Sequence, residues 1–214
     1  MRGSLILVIA SLMVCSFAVD CAATCIDGVD PEALKGITDE QIAELCSKGI
    51  LMVGELEGAG EDNFLMSLLI FEQPREEVFK LLCATDREIE YLPRIIEEKV
   101  IQRTETQDTV EFYVGASLFK FRYQVNHRYN KDKWMLDWNL NPDFDNEVQR
   151  VDGSYRLYEL PDGRTLARYQ TLFSVSAAIP KSIQNMLAKG DLPESLAYLK
   201  KWVDSGGTWR RPEK

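Results

Sequence analysis

Downstream of Pro93 the hydrophobic pattern takes on a period of two and keeps it to residue 177. The segments 94–104, 108–116, 118–130, 132–140, 147–160 and 164–177 each alternate between apolar and polar positions. The stretches "TQD", "NKDK", "NPDFDN" and "LPDGR" between them carry turn-forming residues. Side chains of an extended strand project alternately to its two faces, so this pattern predicts strands with one buried face. Strands joined by such short turns pair with their neighbours in sequence, giving an antiparallel meander.

The most regular stretch is "FKFRYQVNHRYNK" at 119–131. Phe119, Phe121, Tyr123, Val125, His127 and Tyr129 share one parity, and Lys120, Arg122, Gln124, Asn126 and Arg128 share the other. One face is therefore aromatic and carries His127, the only histidine of the chain. The other is basic and amide-rich.

The flanking segments complete an α+β pattern. Before the meander, "NFLMSLLIF" (63–71) reads as a buried strand. "QPREEVFKLL" follows as a helix, with Pro74 at its first position and Glu76 and Glu77 near its positive end. Thr85 and Glu88 stand at capping-box spacing for a second short helix that Pro93 ends. After the meander, Ile179, Ile183, Met186 and Leu187 form one apolar stripe, continued by Leu192, Leu196, Leu199 and Val203 across a break at Gly190 and Pro193. Seven strands cannot bury their apolar face on two short helices, so the late helix must lie across the sheet. The expected fold is a helix-grip: a seven-stranded curved antiparallel sheet around a long C-terminal helix that begins near Pro180.

The N-terminal region has a different character. Arg2 precedes an uncharged run of 16 mainly apolar residues, "SLILVIASLMVCSFAV", and small residues follow it. That order predicts a signal peptide over 1–23, cleaved after Ala18 or Ala23, and a periplasmic or secreted protein. A lipidated anchor at Cys15 or Cys21 is the alternative, although "LMVC" and "AVDC" lack the small residue expected before such a cysteine. Residues 24–59 form an arm with one short helix, in which Thr38 and Gln41 make a capping box and Ile42, Leu45 and Cys46 the apolar stripe. In an oxidising compartment Cys21, Cys25, Cys46 and Cys83 are disulfide candidates, with Cys21 or Cys25 bridging to Cys46. "CAATC" has no second cysteine pair at zinc-ligand spacing, so no metal is expected. The net charge of −9 argues against nucleic acid as a partner.

The order of elements resembles that of the START-like, or SRPBCC, superfamily of polyketide cyclases, coenzyme-Q-binding proteins and lipid-transfer domains. The local likeness lies in "FEQPREEVFKLL", "YLPRI", "GSYRLYELPDGRTLARYQ" and "IPKSIQNMLAKGDLPESLAYLKKWV", covering residues 60–205. Residues 206–214 follow as a polar tail. The resemblance implies a hydrophobic small molecule or lipid held between sheet and helix, with no cofactor.

The aromatic parity then has three readings: a solid core, the wall of a ligand pocket, or an active site. Its companions on the concave face are expected to be Tyr113, Phe121, Tyr123, Trp134, Trp138, Tyr155, Tyr169 and Phe173. Several tyrosine hydroxyls buried in a dry core would each cost roughly 1–3 kcal/mol if unpaired, which favours a pocket. His127 comes near the end of its strand, where solvent access is expected, and reads as a structural or rim histidine. It becomes the catalytic residue if the protein is a cyclase or aromatase. No serine or cysteine stands in a nucleophile motif. Asp143 and Asp145 belong to a turn. Arg122, Arg128, Arg156 and Arg168 form a solvated convex face, with transient membrane contact as a minority role. The primary expectation is a binding or transfer protein. The alternatives are a cyclase-type enzyme using the same pocket and an interaction module whose cavity has closed.

Overall fold

The computed structural model describes residues 25–57, 63–186 and 191–212, so the predicted signal peptide lies outside the described residues. A 3₁₀ turn (Pro31–Leu34) leads to α1 (Asp39–Lys48), β1 (Ile50–Glu57), β2 (Asn63–Phe71) and α2 (Arg75–Leu82). A second 3₁₀ turn (Thr85–Glu90) precedes β3 (Ile95–Arg103), β4 (Gln107–Ala116), β5 (Phe119–Asn130), β6 (Met135–Leu140), β7 (Arg150–Glu159) and β8 (Thr165–Ser174). The chain ends with α3 (Lys181–Asn185) and α4 (Leu192–Asp204).

All pairings are antiparallel, and the strand order is β1-β2-β8-β7-β6-β5-β4-β3. The meander from β3 to β8 is as expected, but the sheet has eight strands rather than seven. The additional one is β1, from the stretch assigned above to the arm; it pairs with β2 through a bulge at Gly54, whose φ is 108°. The bulge explains the misreading, because it breaks the alternation that marks the other strands.

The continuous apolar run of β2 also has a physical reason. Leu69 and Phe71 face α4 on the inner side, whereas Leu68 and Ile70 face Leu45 of α1 and Ala33 on the outer side. A strand covered on both faces loses its polar positions. The Thr38–Gln41 capping box forms and starts α1, and the Cys25–Cys46 disulfide ties the arm down.

The C-terminal helix differs from the expected single long one. α3 and α4 are separate elements, with 187–190 between them outside the described residues. α4 packs Leu196, Leu199, Trp202 and Val203 against α2 and the inner face of the sheet. It stops at Gly206 and Gly207, both at positive φ, where backbone N–H groups return to the carbonyls of Val203 and Trp202.

The capping box expected at Thr85 and Glu88 is absent. The N-cap of that turn is Ala84, which has no side chain to cap with. Both residues serve the interior instead.

Candidate functional site

Between α4 and the inner face of β4–β8 lies a cavity of about 230 Å³. Leu196 and Leu199 of α4 form its roof. The sheet supplies Phe112, Tyr123, Trp138, Tyr155, Tyr169 and Phe173. Five of the eight sequence-selected aromatics thus line it: Tyr123, Trp138, Tyr155, Tyr169 and Phe173.

Their rings pack edge to face or tilted around the space. Trp138 stacks on Tyr169 at 5.8 Å, Tyr155 meets Tyr169 at 4.9 Å, and Phe173 stands edge-on to Tyr123 at 5.9 Å. Gly153, opposite Trp138 on β7, lets the indole lie across the backbone. A Cβ there would overlap the ring and the Gln170 carbonyl.

The other three selected residues lie elsewhere. Tyr113 is on the outer face, opposite Arg122, whose guanidinium sits 4.9 Å from its ring centroid. The inward residue is Phe112, one position earlier and opposite Tyr123. Phe121 is buried but packs within the core with Val114 and Ala116. Trp134 occupies the β5–β6 turn at φ 53° and packs on Phe79 of α2, with Arg75 over its ring. A turn resets the parity count, so Trp134 packs on α2 in the inner core and not in the cavity wall. In the "NPDFDN" connection the side chains of Asn141 and Asn146 hold the loop, and Asn146 accepts the Gln124 backbone N–H.

Of the two placements open to His127, structural or rim, the buried one is found. It is only 4% exposed and lines the inner end of the cavity. Its Nδ1 lies 2.8 Å from Oδ1 of Asp108, directly across the β4–β5 ladder. The other oxygen of Asp108 accepts hydrogen bonds from Thr85 at 2.5 Å and Tyr129 at 2.6 Å, and from Arg103 at 3.0 and 3.2 Å. Burial alone would push the Asp108 carboxyl up, but the hydrogen bonds from His127, Thr85 and Tyr129 outweigh it and hold it at about 2. An ionised carboxylate only accepts, so Nδ1 carries the proton. In the neutral ring, Nε2 is then an acceptor, and it has no hydrogen-bond partner among the described residues.

A second carboxyl behaves in the opposite way. Glu88 of the 3₁₀ turn lines the cavity, and its carboxyl makes no hydrogen bond among the described residues. Burial, with the charges of Glu98 and Asp108 added, pushes it up to about 8. The hydroxyls of Tyr91, Tyr123 and Tyr155 likewise make no hydrogen bond among the described residues, while Tyr169 leans on Thr171. At the mouth Arg94 grips Asp191 at the start of α4 through two hydrogen bonds, 2.7 and 3.0 Å.

Sequence reading missed Asp108 and Glu88. Asp108 had a usable signal: it shares the inward parity of Val110, Phe112 and Val114, so an acid faces the same interior as His127. Glu88 was hidden by its capping-box spacing.

Cys83, the free cysteine among the described residues, is set apart from this chemistry. Burial pushes its thiol up to about 12.

The sequence matches no protein-family model and no curated protein. Solved structures do match. A STAR-related lipid transfer protein from Xanthomonas axonopodis aligns with a TM-score of 0.60 at 15% identity, over 73% of this chain and 94% of that one. The Zhui aromatase/cyclase from Streptomyces sp. R1128 aligns with a TM-score of 0.57 at 14% identity, over 67% and 92%. The lipid transfer and protein localization domain of human StarD13 (DLC2) aligns with a TM-score of 0.54 at 10% identity, over 71% and 82%. At such identities the likeness is one of fold. The antiparallel sheet closed over a cavity by a C-terminal helix, together with these matches, shows a START-like fold.

Proposed function

We propose that this protein binds, and carries, a hydrophobic small molecule in the cavity beneath α4. The observation that supports this most directly is the cavity itself: a partly open space with aromatic and aliphatic walls and a few inward hydroxyls, the usual composition of a ligand site. At about 230 Å³ it is smaller than the roughly 300–1,000 Å³ of typical ligand pockets, which favours a single-chain or compact ring ligand over a two-chain lipid. The lipid-transfer and aromatase/cyclase names of the structural neighbours agree with an apolar ligand. An interaction module with a closed cavity fits these walls less well.

The experiment is Tyr123→Trp. The larger ring fills the open space, so the variant stays within about 1 kcal/mol of the parent in denaturant melts but loses affinity for an apolar fluorescent probe. A parent that binds no apolar probe, together with a destabilised variant, defeats the proposal.

One observation favours a second reading, a cyclase-type enzyme. The Asp108–His127 pair presents an acceptor nitrogen to the cavity, which is the arrangement of a general base. Under this reading His127→Ala slows turnover about 10²–10⁴-fold with ligand affinity preserved. Under the carrier reading the same change leaves affinity within about tenfold and there is no turnover to lose.

Export is part of the proposal. The signal-like N-terminus and the Cys25–Cys46 disulfide both suit an oxidising compartment. N-terminal sequencing of the mature protein checks it, with a start after Ala18 or Ala23 as the expected result.

A further inference from the structure

The polar groups that face the cavity differ in how far their bonding is satisfied. Asp108 is saturated by His127, Thr85, Tyr129 and Arg103. Arg94 and Asp191 neutralise each other at the mouth. Glu88 is left as the charge-capable cavity group with neither a counterion nor a hydrogen bond among the described residues. It stands among aromatic side chains, and its charge reaches the hydroxyls of Tyr91, Tyr123, Tyr155 and Tyr169 on three different strands and the adjoining loop.

A ligand that satisfied this corner would need several properties together. It would be apolar over most of its length, to match the walls. It would carry hydrogen-bond donors, because an ionised Glu88 only accepts and the tyrosine hydroxyls beside it can accept as well. It would carry positive charge, because the Glu88 carboxyl has no cationic partner among the described residues and ionises readily only beside one, and aromatic faces attract cations. An acidic ligand would place two like charges together. A neutral alcohol would leave the carboxyl in its neutral form and gain a hydrogen bond but no ion pair.

We propose that the cavity takes a hydrophobic amine, its ammonium group seated on the Glu88 carboxylate within the ring of Tyr91, Tyr123, Tyr155 and Tyr169. This rests on the binding function proposed above and names the ligand class for it. The proton balance follows from the groups around Glu88. Glu98 from β3 and Asp108 from β4 press on it as like charges, and its carboxyl is neutral at pH 7 in the empty cavity. Entry of an ammonium ion reverses the balance, so Glu88 gives up its proton to solvent as the amine binds.

The test compares decylamine, decanol and decanoate by isothermal titration calorimetry at pH 7, on the parent and on Glu88→Gln. Glutamine has nearly the shape of the neutral acid, and decanol binding serves as the check that the cavity is intact. The expected parent result is decylamine at least tenfold tighter than decanol, with decanoate weakest. Glu88→Gln removes the amine preference, so that decylamine binds the variant no tighter than decanol does. Titrations in buffers of different ionisation enthalpy provide a readout independent of the variant: close to one proton released per decylamine, none per decanol. Equal affinities for the three compounds, an amine preference that survives Glu88→Gln, or decylamine binding without proton release overturns the inference while leaving the cavity a hydrophobic site. Binding of none of the three to the parent overturns both this inference and the binding function.

Discussion

Two carboxyls face the interior beneath α4, and the fold treats them in opposite ways. Asp108 has no accessible side-chain surface, yet it stays ionised at about 2, because five hydrogen bonds from four residues compensate for its lost hydration. Glu88 opens only to the cavity, gathers no such partners among the described residues, and is pushed up to about 8. Burial acts on both in the same direction, so the partners decide the outcome. Asp108 is a finished structural centre that orients His127. Glu88 is an unfinished one, with its bonding capacity turned to the ligand space.

The largest effect is expected from breaking the finished centre. Asp108→Ala leaves His127, Thr85 and Tyr129 without their acceptor and Arg103 with Asp86 as its remaining carboxylate. Removing one partner from a buried charged network costs about 3–5 kcal/mol. Urea unfolding measures it, and a loss below about 1 kcal/mol would show that the centre relaxes without its acid.

The unfinished centre should respond with the opposite sign. The folded state holds Glu88 at about 8 against an ordinary 4.5, so between these values the folded state binds more protons than the unfolded one. Parent stability therefore falls as pH rises through that window. Glu88→Gln removes this penalty. It should match the parent near pH 5 and exceed it by about 2 kcal/mol at pH 8, less than the full linkage of about 1.4 kcal/mol per pH unit because cavity water solvates the ion. Parallel stability curves from pH 5 to 8 would contradict the assignment.

The pH response of Asp108 is the mirror image. Its folded value lies below the ordinary 3.8, so its contribution is complete above that pH and is lost as pH falls through about 2. The smallest change tests a single partner. Tyr129→Phe removes one hydrogen bond to a carboxylate that keeps its others, for a loss of about 1.5 kcal/mol. The same substitution should leave apolar-probe binding within about twofold, since Tyr129 does not line the cavity.

Much of the fold was legible in the sequence because strand alternation is a local property. The parity of 119–129 located Tyr123 and His127 on the inner face, and Thr38 with Gln41 marked the start of α1 correctly. Where a local rule met a local irregularity, the reading slipped. The Gly54 bulge hid β1, and the β5–β6 turn carried Trp134 onto α2, outside the cavity wall. Tyr113 was off by one residue, because on a strand one residue decides the face.

The sequence by itself determined the antiparallel meander, the late apolar helix across it and the aromatic character of the face between them, since each depends on the spacing of neighbouring residues. Only the tertiary structure decided which acids reach that face and in what state. Thr85 and Glu88 carry the spacing of a helix cap, yet one hydroxyl turns to Asp108 and the other side chain to the cavity. His127 sits near a strand end, yet Phe112 and Asp108 enclose it. Whether a buried carboxyl is ionised or neutral depends on partners from distant parts of the chain. For Asp108 these come from the turn at Thr85, from β3 and from β5, and they meet only once the sheet has curved around α4.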